Sequence, residues 1–240
     1  MNKLPKNYIK VLDKGYIGLV NHMGNDIDVA NAARVSYDKS STLDENNNIS
    51  PRDQKLIKFL WDEGHTSPFR HTVLSYEIYA PLMVARQHWK YTVASTFVDD
   101  QNGWNESSRR YITEEPTFYV PTADQWRSAP ENSKQGSGEP INYGHGVELS
   151  GALLNYIEKG EELYNLALSM DVAPEQARLF LPAYGMYVRY RWTTSLHGVM
   201  HFLSQRLAKD SQVEIQEYAK GVFSLAQAQF PLSLGLITND

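Results

Sequence analysis

The chain has 240 residues, of which 42% are hydrophobic, and it carries a formal net charge of -5 with no cysteine. This length fits one domain with an ample core, and the missing thiols exclude disulfides, thiolate metal sites and thiol nucleophiles. There is no basic block, no apolar run near the roughly 20 residues that span a bilayer, and no signal-peptide core at the N-terminus, so we expect a cytoplasmic protein that binds neither nucleic acid nor a membrane.

The first half of the chain predicts a helix, a strand and the start of a second helix. The run Ser50-Pro51-Arg52-Asp53 is typical of a capped helix N-terminus, and Gly64 is typical of the end of that helix. Residues 72–80 alternate between apolar and polar types, which predicts a strand with one buried face. Pro81 then begins the next helix.

The second half predicts helices around one further strand. Residues 122–146 are rich in Pro, Gly, Ser and Asn, and we expect them to form a surface excursion. Residues 184–192 alternate strictly, which predicts a strand with one buried face and one basic face. Helices are expected at about 147–170, from Pro174, from the cap residue Ser195 and, after the capping box Ser211-x-x-Glu214, near the end of the chain.

Strands and helices therefore come in runs rather than in regular alternation. This order predicts an α+β fold, a single domain over residues 1–240 with a mixed or antiparallel sheet and long helices. Nothing in the sequence resembles the Gly-x-Gly-x-x-Gly turn of dinucleotide-binding folds. Any dinucleotide would have to be held by a different architecture.

The stretch richest in chemical groups runs from Arg86 to Tyr111. It contains Arg86-Gln87, then Ala94-Ser95, then Asn105-Glu106-x-Ser108-x-Arg110-Tyr111. Arginine forks together with fixed hydroxyl or amide donors are suited to holding a phosphate and reading a flat heterocycle. On residue types alone, an exposed charged loop is the alternative interpretation.

These motifs resemble the signature of the flavin-dependent thymidylate synthases, which make dTMP from dUMP, and the resemblance extends over residues 10–225. It implies a single catalytic domain with FAD as cofactor, NADPH as reductant and 5,10-methylenetetrahydrofolate as carbon donor. It also implies a homotetramer whose sites are shared between subunits. That family activates the pyrimidine ring without a cysteine nucleophile, which agrees with the composition.

The resemblance also implies roles for individual residues. The implied catalytic residues are His65, Ser108 near the reactive ring, and Arg206, whose guanidinium would stabilise negative charge on the pyrimidine. Those implied to bind dUMP are Gln87, Glu106, Ser108, Arg109, Arg110, Arg178 and Arg206. Those implied to bind FAD are Ser67, Arg70, Lys90, Tyr91, Thr92, Asn105, Glu106, Ser195, His197 and His201.

His197 and His201 also invite a metal-site interpretation, because they lie four residues apart on a predicted helix. A zinc protease would need glutamate after the first histidine, and the chain has Gly198 there with no third ligand evident nearby. We therefore predict no metal site. A metal-dependent hydrolase is the last of the alternatives.

Two departures from the family pattern leave other functions open. Lys90-Tyr91-Thr92 replaces the family's Arg-His-Arg triplet. Lys90 keeps one positive charge, but it lacks the guanidinium group with which arginine forms paired hydrogen bonds. Extra residues precede Asn105, and we expect a loop insertion at 96–104. The alternatives are the same scaffold methylating or hydroxymethylating another pyrimidine deoxynucleotide such as dCMP, and a non-catalytic flavin- or nucleotide-binding protein.

Overall fold

A computed structural model of the chain describes residues 4–94, 103–107, 115–131 and 136–237, without the side chains of 91–94. The strands are β1 (Tyr8–Val11), β2 (Gly15–Met23), β3 (Val73–Pro81), β4 (Gly103–Glu106) and β5 (Tyr187–Ser195). The helices are α1 (Asp26–Arg34), α2 (Pro51–Asp62), α3 (Leu82–Ala94), α4 (Tyr143–Ser169), α5 (Pro174–Ala177), α6 (Leu196–Arg206), α7 (Val213–Gln227) and α8 (Pro231–Gly235). Short 3-10 turns lie at Val35–Tyr37, Ser67–Arg70, Arg178–Phe180 and Ala183–Gly185.

The strands of the described chain form one sheet in the order β1-β2-β3-β5-β4, with every neighbouring pair antiparallel. The predicted α+β fold with an antiparallel sheet and long helices is confirmed. Within the described residues, β4 is an edge strand that pairs with β5 alone, whereas β3 and β5 lie inside the sheet. No described helix is both long enough and apolar enough to cross a bilayer.

The main core lies on one face of the sheet, where helices α3, α6 and α7 cover it. The predicted alternation is confirmed in β3, since Leu74, Tyr76 and Ile78 are fully buried while the residues between them are more accessible. The same holds in β5, where Tyr190 and Trp192 face the core. Side chains alternate between the two faces of a strand, so the core face is determined by every second residue.

A smaller apolar cluster lies beneath the long helix α4. Phe118, Ile157 and Leu181 form its buried part. The first turn of α4 approaches the preceding segment so closely that a Cβ at Gly146 would overlap the carbonyl oxygen of Ala123. α4 thus begins within the predicted excursion 122–146, whose last four residues are helical.

The capping box predicted for the last long helix is wrong. Helix α7 begins at Val213 after Gln212, and the side chain of this N-cap residue accepts no capping hydrogen bond from the helix backbone. The hydroxyl of Ser211 instead donates to the carbonyl oxygen of Gln205 at the end of α6, 2.8 Å away. The carboxylate of Glu214 accepts a 2.7 Å hydrogen bond from the amide of Gln212. A tertiary contact has therefore recruited the serine that the local pattern assigned to a cap.

The strand predicted at 184–192 is displaced toward the C-terminus. Tyr184 belongs to the 3-10 turn Ala183–Gly185, and its side chain is 68% exposed. β5 begins three residues later and continues to Ser195. The extra residues at its end pair with β3 through Val73↔Ser195, which brings the start of α6 next to the start of β3.

Candidate active site

A cavity of about 300 Å³ lies between α3 and β4, and it contains two residues of the chemically rich motif, Arg86 and Glu106. α3 follows Pro81, the last residue of β3, and presents Arg86 at the surface one turn later. β4 is held in antiparallel register with β5, opposite Tyr190 at Glu106. The other lining residues are Leu82, Ala85, Trp89 and Trp104. The cavity therefore combines a cation, a carboxylate and two indole rings.

Glu106 opens to solvent, yet the protein around its carboxyl group influences its ionisation. Desolvation by the surrounding chain raises the pKa of Glu106, and the positive charge of Arg178 partly opposes this rise. Arg178 is exposed just after α5, where its Nε donates to the carbonyl oxygen of Glu175, 3.2 Å away. A carboxylate near two guanidinium groups is suited to a ligand that carries both an N–H donor and an anionic group.

A fully buried imidazole lies in the middle of α3, on the side that faces the core. His88 is 2% exposed, and its Nδ1 lies 3.0 Å from the hydroxyl of Tyr190. Its ring packs on Phe202 and Trp192, with centroid separations of 4.4 Å and 4.3 Å. Burial, with a smaller contribution from the charge of Arg206, lowers the pKa of His88 to about 3. The imidazole is therefore neutral at physiological pH.

α6 and its N-cap residue hold four of the predicted site residues. Ser195 is buried at its N-cap, and its hydroxyl accepts a 3.2 Å hydrogen bond from the backbone N–H of Gly198. His197 and His201 are half-buried one turn apart, and burial lowers the pKa of His201. Arg206 ends the helix, where the helix dipole favours a cation. No cluster of three His, Asp or Glu residues suited to a metal occurs in the described part of the chain.

Gln87 is engaged within the protein. Its side-chain amide donates to the side-chain oxygen of Gln212, just before α7. The amide of Gln212 in turn donates to Glu214. This chain of hydrogen bonds joins the motif-bearing helix to α7 and fixes the direction of the Gln87 side chain. Its predicted contact with a nucleotide stays a prediction.

His65 and Ser67 lie at a second and larger cavity, of about 760 Å³, between α1, α2 and the turn Ser67–Arg70. The cations Lys39, Arg52 and Lys55 line this cavity together with the rings of Tyr37 and Phe59. No lining residue is common to this cavity and the one at Arg86. Within the described part of one chain, His65 therefore does not share a cavity with Glu106.

The turn Ser67–Arg70 is nevertheless close to α6. α6 packs against this turn, and the backbone N–H of Leu196 donates to the carbonyl oxygen of Thr72, 2.9 Å away. The predicted FAD residues of the turn and of the helix thus belong to one packed unit. Arg70 ends the turn, while Asn105 and Lys90 are exposed on β4 and α3 respectively.

Several predicted site residues lie outside the described residues. These are Ser108, Arg109 and Arg110, and the side chains of Tyr91 and Thr92. Their assigned roles stay predictions.

Three residues of this region were missed by sequence reasoning: His88, Trp104 and Tyr190. The expected insertion 96–104 ends inside β4, since Gly103 and Trp104 are its first two residues. Trp104 stacks on Tyr190 with ring centroids 4.2 Å apart. The available signal was the alternation of Trp104 with Glu106, which is typical of a short strand but is brief enough to be read as a loop.

Comparison with known proteins identifies the family. The model of the Thy1 family, described as thymidylate synthase complementing protein, matches residues 18–232. The flavin-dependent thymidylate synthase of Kosmotoga olearia is 35% identical over 235 residues, covering 96% of this chain and 93% of that protein. The enzyme of the same name from Thermus thermophilus is 35% identical over 230 residues, covering 94% and 76%.

A solved structure supports the same assignment at the level of fold. The UMP/dUMP methylase PolB from Streptomyces cacaoi, bound with 5-Br dUMP, superposes with a TM-score of 0.76 at 25% identity, over 96% of this chain and 97% of that one. The resemblance expected from the motifs is confirmed. With the antiparallel sheet, the cysteine-free sequence and the Arg86–Glu106 cavity in place, the chain belongs to the Thy1 family, that of the flavin-dependent thymidylate synthases.

Proposed function

We propose that this chain converts dUMP to dTMP, with 5,10-methylenetetrahydrofolate as carbon donor and NADPH-reduced FAD as hydride source. The observation that carries the proposal is a cavity lined by Arg86 and Glu106, with Arg178 close enough for its charge to act on Glu106, in a chain without a cysteine nucleophile. The relatives that share its family bear the name of this activity, and a solved neighbour is named as a methylase of UMP and dUMP.

In this proposal the protein binds and orients the nucleotide. Glu106 accepts a hydrogen bond from an N–H donor of the ligand, while Arg178 and Arg86 balance the charge of its phosphate. Arg206 stabilises negative charge on the pyrimidine oxygen and nitrogen as the ring is activated. Ser108, Arg109 and Arg110 complete the nucleotide site by family resemblance. Such positioning is what the protein contributes when cofactors carry the difficult chemistry.

FAD is proposed to be held by the unit formed by α6 and the turn Ser67–Arg70. The residues present fit a flavin dinucleotide. The large cavity beside this turn is lined by Lys39, Arg52 and Lys55, which are suited to a diphosphate, and by two exposed rings suited to stacking. When bound and reduced, FAD supplies the hydride. His65 lines the same cavity, and the proposal places it next to the cofactor.

Self-association as a homotetramer is proposed as well. The two cavities share no lining residue among the described residues of one chain, and this supports a site assembled between subunits. Next to Arg178, the apolar side chains of Leu179, Phe180 and Tyr184 are exposed, the first of them to 82%. An exposed apolar patch beside a functional arginine is typical of an interface. Native mass spectrometry of the purified protein should show four copies, and a monomer would contradict this part of the proposal.

A product assay tests the reaction. Purified protein is incubated anaerobically with FAD, NADPH and methylenetetrahydrofolate, dUMP and dCMP are offered together, and products are identified by mass. Formation of dTMP alone supports the proposal. A methylated or hydroxymethylated dCMP would instead indicate that substrate choice is determined by the Lys90-Tyr91-Thr92 substitution and the 96–104 insertion. No product from protein that retains FAD would favour a non-catalytic binding protein.

A further inference from the structure

His88 lies where three parts of the site meet, although no motif assigns it a role. It follows Gln87 in α3, and its Nδ1 joins the Tyr190 hydroxyl of β5 at 3.0 Å. Its ring stacks on Phe202 of α6, with planes inclined by 29°. The side chain thus connects α3, β5 and α6 at a point from which water is excluded.

Two contacts of His88, with Tyr190 and with Phe202, lead to residues of the proposed nucleotide site. Tyr190 lies opposite Glu106 in the β4–β5 register, and its ring carries the stacked ring of Trp104. Phe202 precedes Arg206 by one helical turn, and Arg206 is close enough for its charge to disfavour protonation of the imidazole. A shift of His88 would therefore move the elements that carry Glu106 and Arg206.

Stability alone gives no reason for an imidazole at this position. Its Nε2 is buried and has no hydrogen-bond partner among the described residues. A buried polar atom without a partner is destabilising, so an apolar side chain of similar size would pack there with less loss. The surrounding rings of Trp104, Trp192 and Phe202 would accept such a side chain.

We propose that His88 is a positioning residue, whose hydrogen bond to Tyr190 and packing on Phe202 set the placement of Glu106 and Arg206 for the nucleotide. This inference rests on the proposed function for its kinetic readout. The geometry acts through the neutral imidazole. In its hydrogen bond with the tyrosine hydroxyl, one of the two groups, Nδ1 or the hydroxyl, donates and the other accepts. No direct contact of His88 with the ligand is required.

The test compares four variants of the full-length protein loaded with FAD. The double variant His88→Leu/Tyr190→Phe removes both hydrogen-bonding groups together, so that neither is left buried alone. His88→Asn keeps a polar amide near the position of Nδ1, and Tyr190→Phe removes only the hydroxyl. Tyr76→Phe is the matched control, because Tyr76 is equally buried on the neighbouring strand and its hydroxyl has no partner among the described residues.

The double variant should keep its thermal unfolding midpoint while kcat with dUMP falls roughly ten- to hundred-fold, the size expected from a misplaced catalytic group. Tyr190→Phe should show most of this loss of kcat. His88→Asn should retain most of the wild-type kcat, and Tyr76→Phe should retain all of it. Unchanged kcat in the double variant would overturn the inference. So would an equal loss in Tyr76→Phe, since any buried hydroxyl would then have the same effect.

Failure of the proposed function is distinguished by a second readout. If the wild-type protein forms no dTMP, the dissociation constant for dUMP is measured by calorimetry on the same variants. A constant raised in the double variant, and close to wild type in His88→Asn and Tyr76→Phe, supports positioning of a nucleotide site that lacks turnover. A constant unchanged in the double variant would overturn the inference independently of the reaction.

Discussion

Trp104 stacks face to face on Tyr190, with ring centroids 4.2 Å apart and planes inclined by 17°. The contact is diagonal, because Trp104 is paired in register with Trp192 and Tyr190 with Glu106. Aromatic pairs of this geometry contribute about 0.5–1.5 kcal/mol beyond the area that they bury. A four-residue edge strand has few backbone hydrogen bonds, so this stack is a main reason why Glu106 is held beside the cavity.

The ionised form of Glu106 should be required for nucleotide use. Glu106→Gln is expected to lower kcat/KM for dUMP roughly ten- to hundred-fold, because a hydrogen bond to a charged group is worth about 1.5–3 kcal/mol. Activity should fall as the pH drops through the pKa of this carboxyl group. Because Arg178 lowers that pKa, Arg178→Ala should move the acid limb of the pH–rate profile to higher pH. A limb that moves to lower pH, or stays in place, would contradict the assignment.

Arg206→Ala should lower turnover far more than stability. Loss of one group that stabilises developing charge reduces kcat by roughly 10²–10³-fold. Steady-state kinetics and thermal unfolding on the same preparation separate the two effects. Arg191→Ala is a suitable control, because Arg191 lies on the exposed face of β5, 3.2 Å from Glu77, and outside both cavities of the proposed site. Normal turnover in a folded Arg206→Ala protein would remove the proposed role.

The buried imidazole of His88 should make folding sensitive to acid. The pKa of His88 is about 3 in the folded protein and about 6.5 in an unfolded chain, so the unfolded state binds more protons between these values. The free energy of unfolding should therefore fall as the pH drops from 6.5 toward 3, by up to about 1.4 kcal/mol per pH unit from this group.

Urea unfolding of the wild type and of His88→Asn at pH 7, 6, 5 and 4 isolates this contribution. The contributions of the carboxyl groups and the other histidines are common to both proteins and cancel in the difference. The wild type should lose more stability on acidification than the variant. A difference that does not change with pH would mean that the imidazole is protonated inside the fold.

Two glycines five residues apart in α4 should respond in opposite directions to alanine. A Cβ at Gly146 would overlap the carbonyl oxygen of Ala123, so Gly146→Ala should lower the free energy of unfolding by roughly 1–3 kcal/mol. Gly151 has no neighbour within 4 Å of an added Cβ, so Gly151→Ala should raise it by about 0.5–1 kcal/mol through helix propensity. Equal effects in chemical denaturation would contradict the close approach of α4 to Ala123.

Local patterns in the sequence predict the parts of this fold that are determined locally. Ser50 accepts from the backbone N–H of Asp53 as expected, and the buried face of β3 follows from strict alternation. The predicted capping box is wrong because the hydroxyl of Ser211 donates to the carbonyl oxygen of Gln205, at the end of the preceding helix. The hydrogen bond from the amide of Gln87 to Gln212, 125 residues away, likewise has no signal in the local sequence.

The site shows the same division. Family motifs indicate Glu106 and Arg206, but His88 looks like an ordinary polar residue on a helix surface. Its burial depends on Tyr190, Trp192 and Phe202, which are about a hundred residues further along the chain. No local pattern contains that information, because a side chain is recognised as buried only when its packing partners are known.

The edge position of β4 has an evolutionary consequence. A central strand cannot change in length without displacing two neighbouring strands, whereas in the described sheet β4 pairs with β5 alone. The chain that joins α3 to β4 can therefore gain or lose residues between relatives while every core position is preserved. Substrate range can then diverge by changes in loop length at the margin of the sheet, and the scaffold need not be rebuilt each time.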